Sequence, residues 1–88
     1  MMFEYLSFKD GTELCYSQLL VSGKVLARFK RTKDGEYQLA QYELPRLARL
    51  SAEGFPEEKL RQFETYLKEH QRELFRAAAN RLKESVGG

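Results

Sequence analysis

Three pairs ending in glycine, Asp10-Gly11, Ser22-Gly23 and Asp34-Gly35, recur every 12 residues in the first half of this chain. Each is flanked by runs that carry Leu, Val, Phe and Tyr. An Asp-Gly pair between such runs signals a two-residue hairpin, because the type I′ turn needs positive φ at both central positions; Ser-Gly is a weaker form of the signal. The spacing predicts four strands, at about residues 2–8, 13–21, 24–31 and 36–44, joined as an antiparallel meander.

Two-residue turns also set the register. Folding about Asp10-Gly11 puts Tyr5 opposite Tyr16 and Ser7 opposite Leu14. Folding about Ser22-Gly23 puts Tyr16 opposite Phe29 and Leu20 opposite Val25. Folding about Asp34-Gly35 puts Phe29 opposite Ala40, Ala27 opposite Tyr42 and Val25 opposite Leu44. All three turns then agree on one apolar face holding Phe3, Tyr5, Leu14, Tyr16, Leu20, Val25, Ala27, Phe29, Ala40, Tyr42 and Leu44. The opposite face is mixed, with the rows Leu6–Cys15–Lys30–Leu39, Glu4–Ser17–Arg28–Gln41 and Met2–Leu19–Leu26–Glu43. Apolar residues laced with charge read as an exposed amphipathic surface or a second, weaker interface.

After Leu44-Pro45, the segment from Arg46 to Glu53 reads as one or two turns of helix ended by Gly54. Phe55-Pro56-Glu57-Glu58 then opens the main helix, with proline suited to a first turn and the glutamates to the positive end of the dipole. Leu60, Phe63, Leu67, Leu74, Ala78 and Leu82 fall on one stripe at helical spacing. A helix from Glu57 to Glu84 is about 42 Å long at 1.5 Å per residue, whereas eight-residue strands span about 26 Å. Its last turns are therefore expected to overhang the sheet, leaving Leu74, Ala78 and Leu82 to be covered by a kink, a turn-back or, preferably, the second subunit of a homodimer. The expected fold class is α+β, a four-stranded antiparallel β-meander packed on one face by a long C-terminal α-helix. It forms a single domain over residues 1–88, with the sheet at 2–44, a connector at 45–55, the helix at 56–85 and a flexible tail at 86–88.

With 88 residues, 42% of them hydrophobic and 32% charged, the chain can build one thin core but not two folded units. No apolar run approaches the roughly 20 residues of a membrane span. No signal-peptide layout occupies residues 1–20. The one cysteine, Cys15, excludes an internal disulfide and a cysteine-built zinc site, and a reducing, cytoplasmic setting is expected with no cofactor and no membrane partner. Catalytic chemistry is poorly provided for. Cys15 and the one histidine, His70, fall on different elements on opposite sides of the sheet, too far apart for a nucleophile and its base. There is no glycine-rich phosphate loop and no HExxH, and Glu57-Glu58 and Glu69 with Glu73 read as helix-start and solvated-face charges. A non-enzymatic role is therefore expected.

Charge is uneven along the chain. Of a net +2, residues 1–23 carry −2, residues 24–49 carry +4 and residues 50–88 balance. Lys24, Arg28, Lys30, Arg31, Lys33, Arg46 and Arg49, with Tyr37 for stacking, make the middle segment a candidate nucleic-acid surface, against the alternative of a solubilising rim paired with Glu4, Glu36 and Glu43. The Gly87-Gly88 ending is shared with ubiquitin-like modifiers and small sulfur carriers, but in those the tail leaves a strand; here it follows a helix, and a frayed terminus is expected.

Asp34-Gly35-Glu36-Tyr37, Glu43-Leu44-Pro45, Glu53-Gly54-Phe55, and Glu57-Glu58 leading to Tyr66-Leu67 resemble small bacterial domains in which a hairpin, a Leu-Pro and a Gly-Phe precede a terminal helix. The same stretch is similar to HicB-type antitoxins, whose strand–Leu-Pro–helix layout masks a toxin, although Arg46 stands where that pattern has glycine. The resemblance implies a partner-masking role and carries over no functional residues. The function expected is protein–protein association, with itself or with another protein. It would use the mixed face and the helix stripe, with Leu6, Leu19, Leu26, Leu39, Leu74, Ala78 and Leu82 as interface candidates. Binding of nucleic acid through the basic segment is the alternative.

Overall fold

In a computed structural model, which describes residues 2–87, five strands precede one helix: β1 (Met2–Ser7), β2 (Glu13–Ser17), β3 (Val25–Lys33), β4 (Glu36–Leu44), β5 (Ala48–Glu53) and α1 (Glu57–Gly87). The strands pair antiparallel in the order β1-β2-β3-β4-β5, one open meander. The α+β class holds, but the sheet has five strands rather than four.

The extra strand occupies the stretch expected to be a helical turn. Ala48, Leu50 and Glu53 favour helix intrinsically, but the edge of β4 offers ladder hydrogen bonds, and tertiary pairing overrides a weak local propensity. The chain reverses through a cis Leu44-Pro45 bond and Leu47 at φ 58°. Glu43 then pairs with Ala48 and Leu39 with Glu53, around a bulge beside Gln41 and Tyr42.

Only one of the three glycine turns has two residues. Asp34 and Gly35 both take positive φ, at 53° and 79°, and Phe29 opposite Ala40 and Val25 opposite Leu44 follow as expected. At the other two turns the glycine alone has positive φ. Phe8 and Thr12 bracket the first loop, with the Gly11 N–H donating to the Phe8 carbonyl at 3.1 Å. That adds one residue, and a bulge between Glu4 and Leu6 takes up another, so Phe3 rather than Tyr5 lies opposite Tyr16. Between β2 and β3, Leu20 and Lys24 bracket a similar loop, and Leu14 rather than Tyr16 lies opposite Phe29. Both corrections amount to two residues. A slip of two leaves a side chain on its original face, which is why the apolar face from Leu14 and Tyr16 through Leu44 survives. Leu6 and Ser7, between loop and bulge, slip by one, so Leu6 comes opposite Leu14, and Leu20 lies beyond the end of β2, outside the core.

The core sits between that face and α1. Leu14, Tyr16, Val25, Ala27, Phe29, Ala40, Tyr42 and Leu44 from the sheet are buried against Phe55, Leu60, Phe63, Leu67, Leu74 and Ala78. Phe29 and Phe63 stack at 3.9 Å between centroids. At Leu74 and Ala78 the helix does not overhang. Leu74 and Ala78 are fully buried within the chain, because β1, β2 and the segment after them reach out to its C-terminal half. The Leu19 N–H donates to the Ala78 carbonyl at 3.1 Å, and Arg81 donates to the Tyr16 hydroxyl at 3.0 Å while lying 4.5 Å above Phe3. The cover sought from a second subunit is supplied by the chain itself. Of the expected tail, Gly88 lies outside the described residues.

Candidate functional site

The helix covers one face of the sheet, and the other face has no layer over it. Across it run the rows Glu4–Cys15–Arg28–Gln41–Ser51 and Glu13–Lys30–Leu39–Glu53, with Leu26 and Glu43 in the next row toward Ala48. Leu26 and Leu39 are half-buried there, in rows that also carry Glu43, Glu13, Lys30 and Glu53. Cys15 is 7% exposed on this face, and burial pushes its thiol pKa up. The sign of charge alternates across the strands: acidic at Glu4 and Glu13, basic at Arg28 and Lys30 on β3, acidic again at Glu43 and Glu53.

Of the expected interface residues, the open face keeps Leu26 and Leu39. Leu6 pairs with Leu14 on edge strand β1 and is 39% exposed. Leu19 packs half-buried against the core, and Leu82 is half-buried on α1. Leu74 and Ala78 belong to the core and offer no surface.

The expected basic surface is dispersed. Arg31 and Arg49 point to the helix side. Arg31 bonds Gln38 at 2.7 Å and Asp10 at 3.0 Å, and Arg49 bridges Glu57 at 3.1 Å and Glu64 at 2.6 Å. Those hydrogen bonds hold Glu57 below the usual carboxylate range and raise Arg49 further above neutrality. Lys24 pairs with Glu43 at 3.3 Å, and Arg28 donates to Gln41 at 3.2 Å. Among the described residues no side-chain hydrogen bond or ion pair engages the Lys30, Lys33 or Arg46 side chain. These three stand apart, on the open face, at the β3–β4 turn and at the β4–β5 turn. Tyr37 is 56% exposed near Lys33, at the opposite end of β4 from Arg46.

Two polar clusters on the helix side centre on residues not among the candidates, Tyr42 and Asp10. Tyr42 is fully buried, yet its hydroxyl donates to Glu64 at 3.0 Å; burial first, and the Glu64 contact second, push its pKa well up. Asp10 accepts from the Thr12 N–H at 3.0 Å and sits 2.8 Å from Lys59 and 3.0 Å from Arg31. Burial alone would raise the Asp10 carboxyl, but hydrogen bonds from Lys59 and Thr12 outweigh it and hold it well below the usual carboxylate range. The Asp-Gly pair marked the turn; nothing in the local sequence ties Asp10 to Lys59, 49 positions away.

His70 stacks on Tyr66 at 4.0 Å, with Nδ1 2.9 Å from the Tyr66 carbonyl, on the far side of the sheet from Cys15. Among the described residues no group of three or more His, Cys, Asp or Glu side chains is placed to hold a metal ion, and no helix is long and apolar enough to cross a membrane. No family model, no curated protein and no solved structure matches the chain.

Proposed function

We propose that this protein is a non-enzymatic association module whose working surface is the open sheet face and whose occupant is a second copy of the same chain. The observation that carries the reading is the alternation of charge around Leu39. A two-fold axis along β4 brings Leu39 against its own copy and sets Lys30 of each chain over Glu53 of the other. In such an isologous contact each pairing occurs twice, and two sheets stack with their strands within about 30° of each other. Overlap of β3, β4 and β5 covers on the order of 400–600 Å² per copy, from strand spacing and rise. That is the size of a weak, concentration-dependent association rather than an obligate dimer. The nucleic-acid alternative has less support, because phosphate binding wants a continuous basic stripe, and most of the expected cations are engaged by carboxylates or amides.

Sedimentation velocity from about 10 μM to about 1 mM tests the reading at that affinity class. The expected result is a monomer–dimer equilibrium, weakened by Lys30→Glu and restored when Glu53→Lys is added to it. A strict monomer throughout, or a double variant no better than the single one, overturns it. A mobility shift with oligonucleotide that is lost in moderate salt would move the function to the basic residues.

A further inference from the structure

On the helix side of the sheet, away from the open face, a cleft of about 440 Å³ lies between the Phe8–Thr12 loop and the first turns of α1. Its volume is that of a site for a small organic molecule. Phe8, Phe63 and Tyr66 wall it, with Lys9, Lys59 and Thr12 among its polar residues. The walls are held in place: Phe63 by its stack on Phe29, and Tyr66 by an edge contact with Phe8 at 5.3 Å between centroids.

Thr12 supplies an independent pointer to a ligand. It is 0% exposed, and its hydroxyl has no hydrogen-bond partner among the described residues. Buried hydroxyls are nearly always paired, because losing water without a replacement is unfavourable. The Thr12 side chain lies close enough to the Asp10 carboxylate to help hold its pKa down, although the contact falls short of a well-formed hydrogen bond and leaves the hydroxyl without a full partner. Asp10 already takes the Thr12 N–H, Arg31 and Lys59. Among the residues lining the cleft, Lys9 and Lys59 outnumber the one carboxylate, Asp10, so the surplus at the mouth is positive.

We propose that this cleft binds a small aromatic carboxylic acid, with its ring against the wall formed by Phe8, Phe63 and Tyr66 and its carboxylate taking the Thr12 hydroxyl and the Lys59 and Lys9 ammonium groups. Aromatic walls select a flat apolar ring. The cations and the unpaired hydroxyl select a carboxylate, which accepts hydrogen bonds from both. Neither the open sheet face nor its self-association is involved, so the two readings stand or fall separately.

The test is a titration of the full ¹⁵N-labelled chain with benzoate and with 4-hydroxyphenylacetate, using benzyl alcohol and acetate as controls lacking the acid or the ring. Saturable shifts are expected for amides of residues 9–12 and 59–66, with the controls about tenfold or more weaker, as for loss of a charge-assisted bond. Thr12→Val and Lys59→Met should each weaken binding by a similar factor. Thr12→Val should leave the melting temperature unchanged or raised, since an unpaired hydroxyl gives the free protein nothing. The proposal is overturned by no saturable shift from either acid at about 10 mM, by benzyl alcohol binding as well as benzoate, or by Thr12→Val binding like the parent. A lowered melting temperature in Thr12→Val would also count against it, as the mark of a hydroxyl already paired.

Discussion

Asp10 takes donors from three directions, the Thr12 backbone, Arg31 on β3 and Lys59 on α1, so one exposed-looking turn residue ties the β1–β2 loop to both layers. Its carboxyl pKa is lowered from the ordinary 3.8 in the folded chain, with burial opposing and the Lys59 and Thr12 contacts prevailing. As pH falls, the unfolded chain therefore takes up the proton first, and acid favours unfolding. The stability Asp10 supplies is fully present above its unfolded pKa and is lost as pH drops through the folded one. Asp10→Asn should cost roughly 1–2 kcal/mol at neutral pH, a value tempered by partial exposure. Urea unfolding of both proteins across the acid range checks this: the gap between them should close progressively below 3.8. A gap that stays constant to about pH 2 would mean that Asp10 is not ionised in a stabilising contact. The sequence marks Asp10 as half of a turn and Arg31 as half of a basic patch; their pairing is a long-range fact that no local pattern carries.

Among the elements, the legible part was whatever rested on period and on paired positive φ. The apolar face and helix stripe come from alternation and 3.6-residue spacing, and they hold even where register slipped by two, because alternation is blind to such slips. Asp34-Gly35 predicts its hairpin well because both residues adopt positive φ. Asp10-Gly11 and Ser22-Gly23 do not, because only their glycines do. β5 was missed because Arg46–Glu53 has helix-forming composition and is made a strand by the free edge of β4. Gly54, expected as a helix stop, instead ends β5 at φ 82°, where an added Cβ would come 2.9 Å from Gln38 Cγ. Gly35 has the same backbone need with open space around it. Gly35→Ala should therefore cost about 1 kcal/mol, the backbone penalty alone. Gly54→Ala should cost about 1 kcal/mol more, as the crowded Gln38 side chain also gives up its 3.0 Å bond to the Gly54 carbonyl. Thermal melts should rank the two in that order, and Gln38→Ala added to Gly54→Ala should cost less than the separate changes combined. Equal penalties for the two glycine variants would show that the approach to Gln38 is relieved at no cost.

For the molecule as a whole, the decisive contact is between the C-terminal half of α1 and the β1–β2 end of the sheet. A chain of 88 residues has one thin core, and here the helix adds Leu74 and Ala78 to it beyond the turns that cover β3 and β4. The Leu19–Ala78 backbone bond and the Arg81 contacts with Tyr16 and Phe3 close that end. The helix and the edge of the sheet should therefore unfold together. Leu74→Ala, at a fully buried site, should lose about 2–5 kcal/mol, a large share of the 5–15 kcal/mol typical of whole domains. Native-state hydrogen exchange gives the sharper reading. If the two elements form one cooperative unit, amides of α1 around residues 74–82 and those of β1 and β2 share one opening free energy, and Leu74→Ala lowers both by the same amount. If the variant speeds exchange in the helix alone, the C-terminal half of α1 frays independently, and the sheet keeps its fold without it. Association through Leu39 is separable from this: it uses the opposite face, so Leu74→Ala should change the stability of each copy while leaving the monomer–dimer constant of the folded protein where it was.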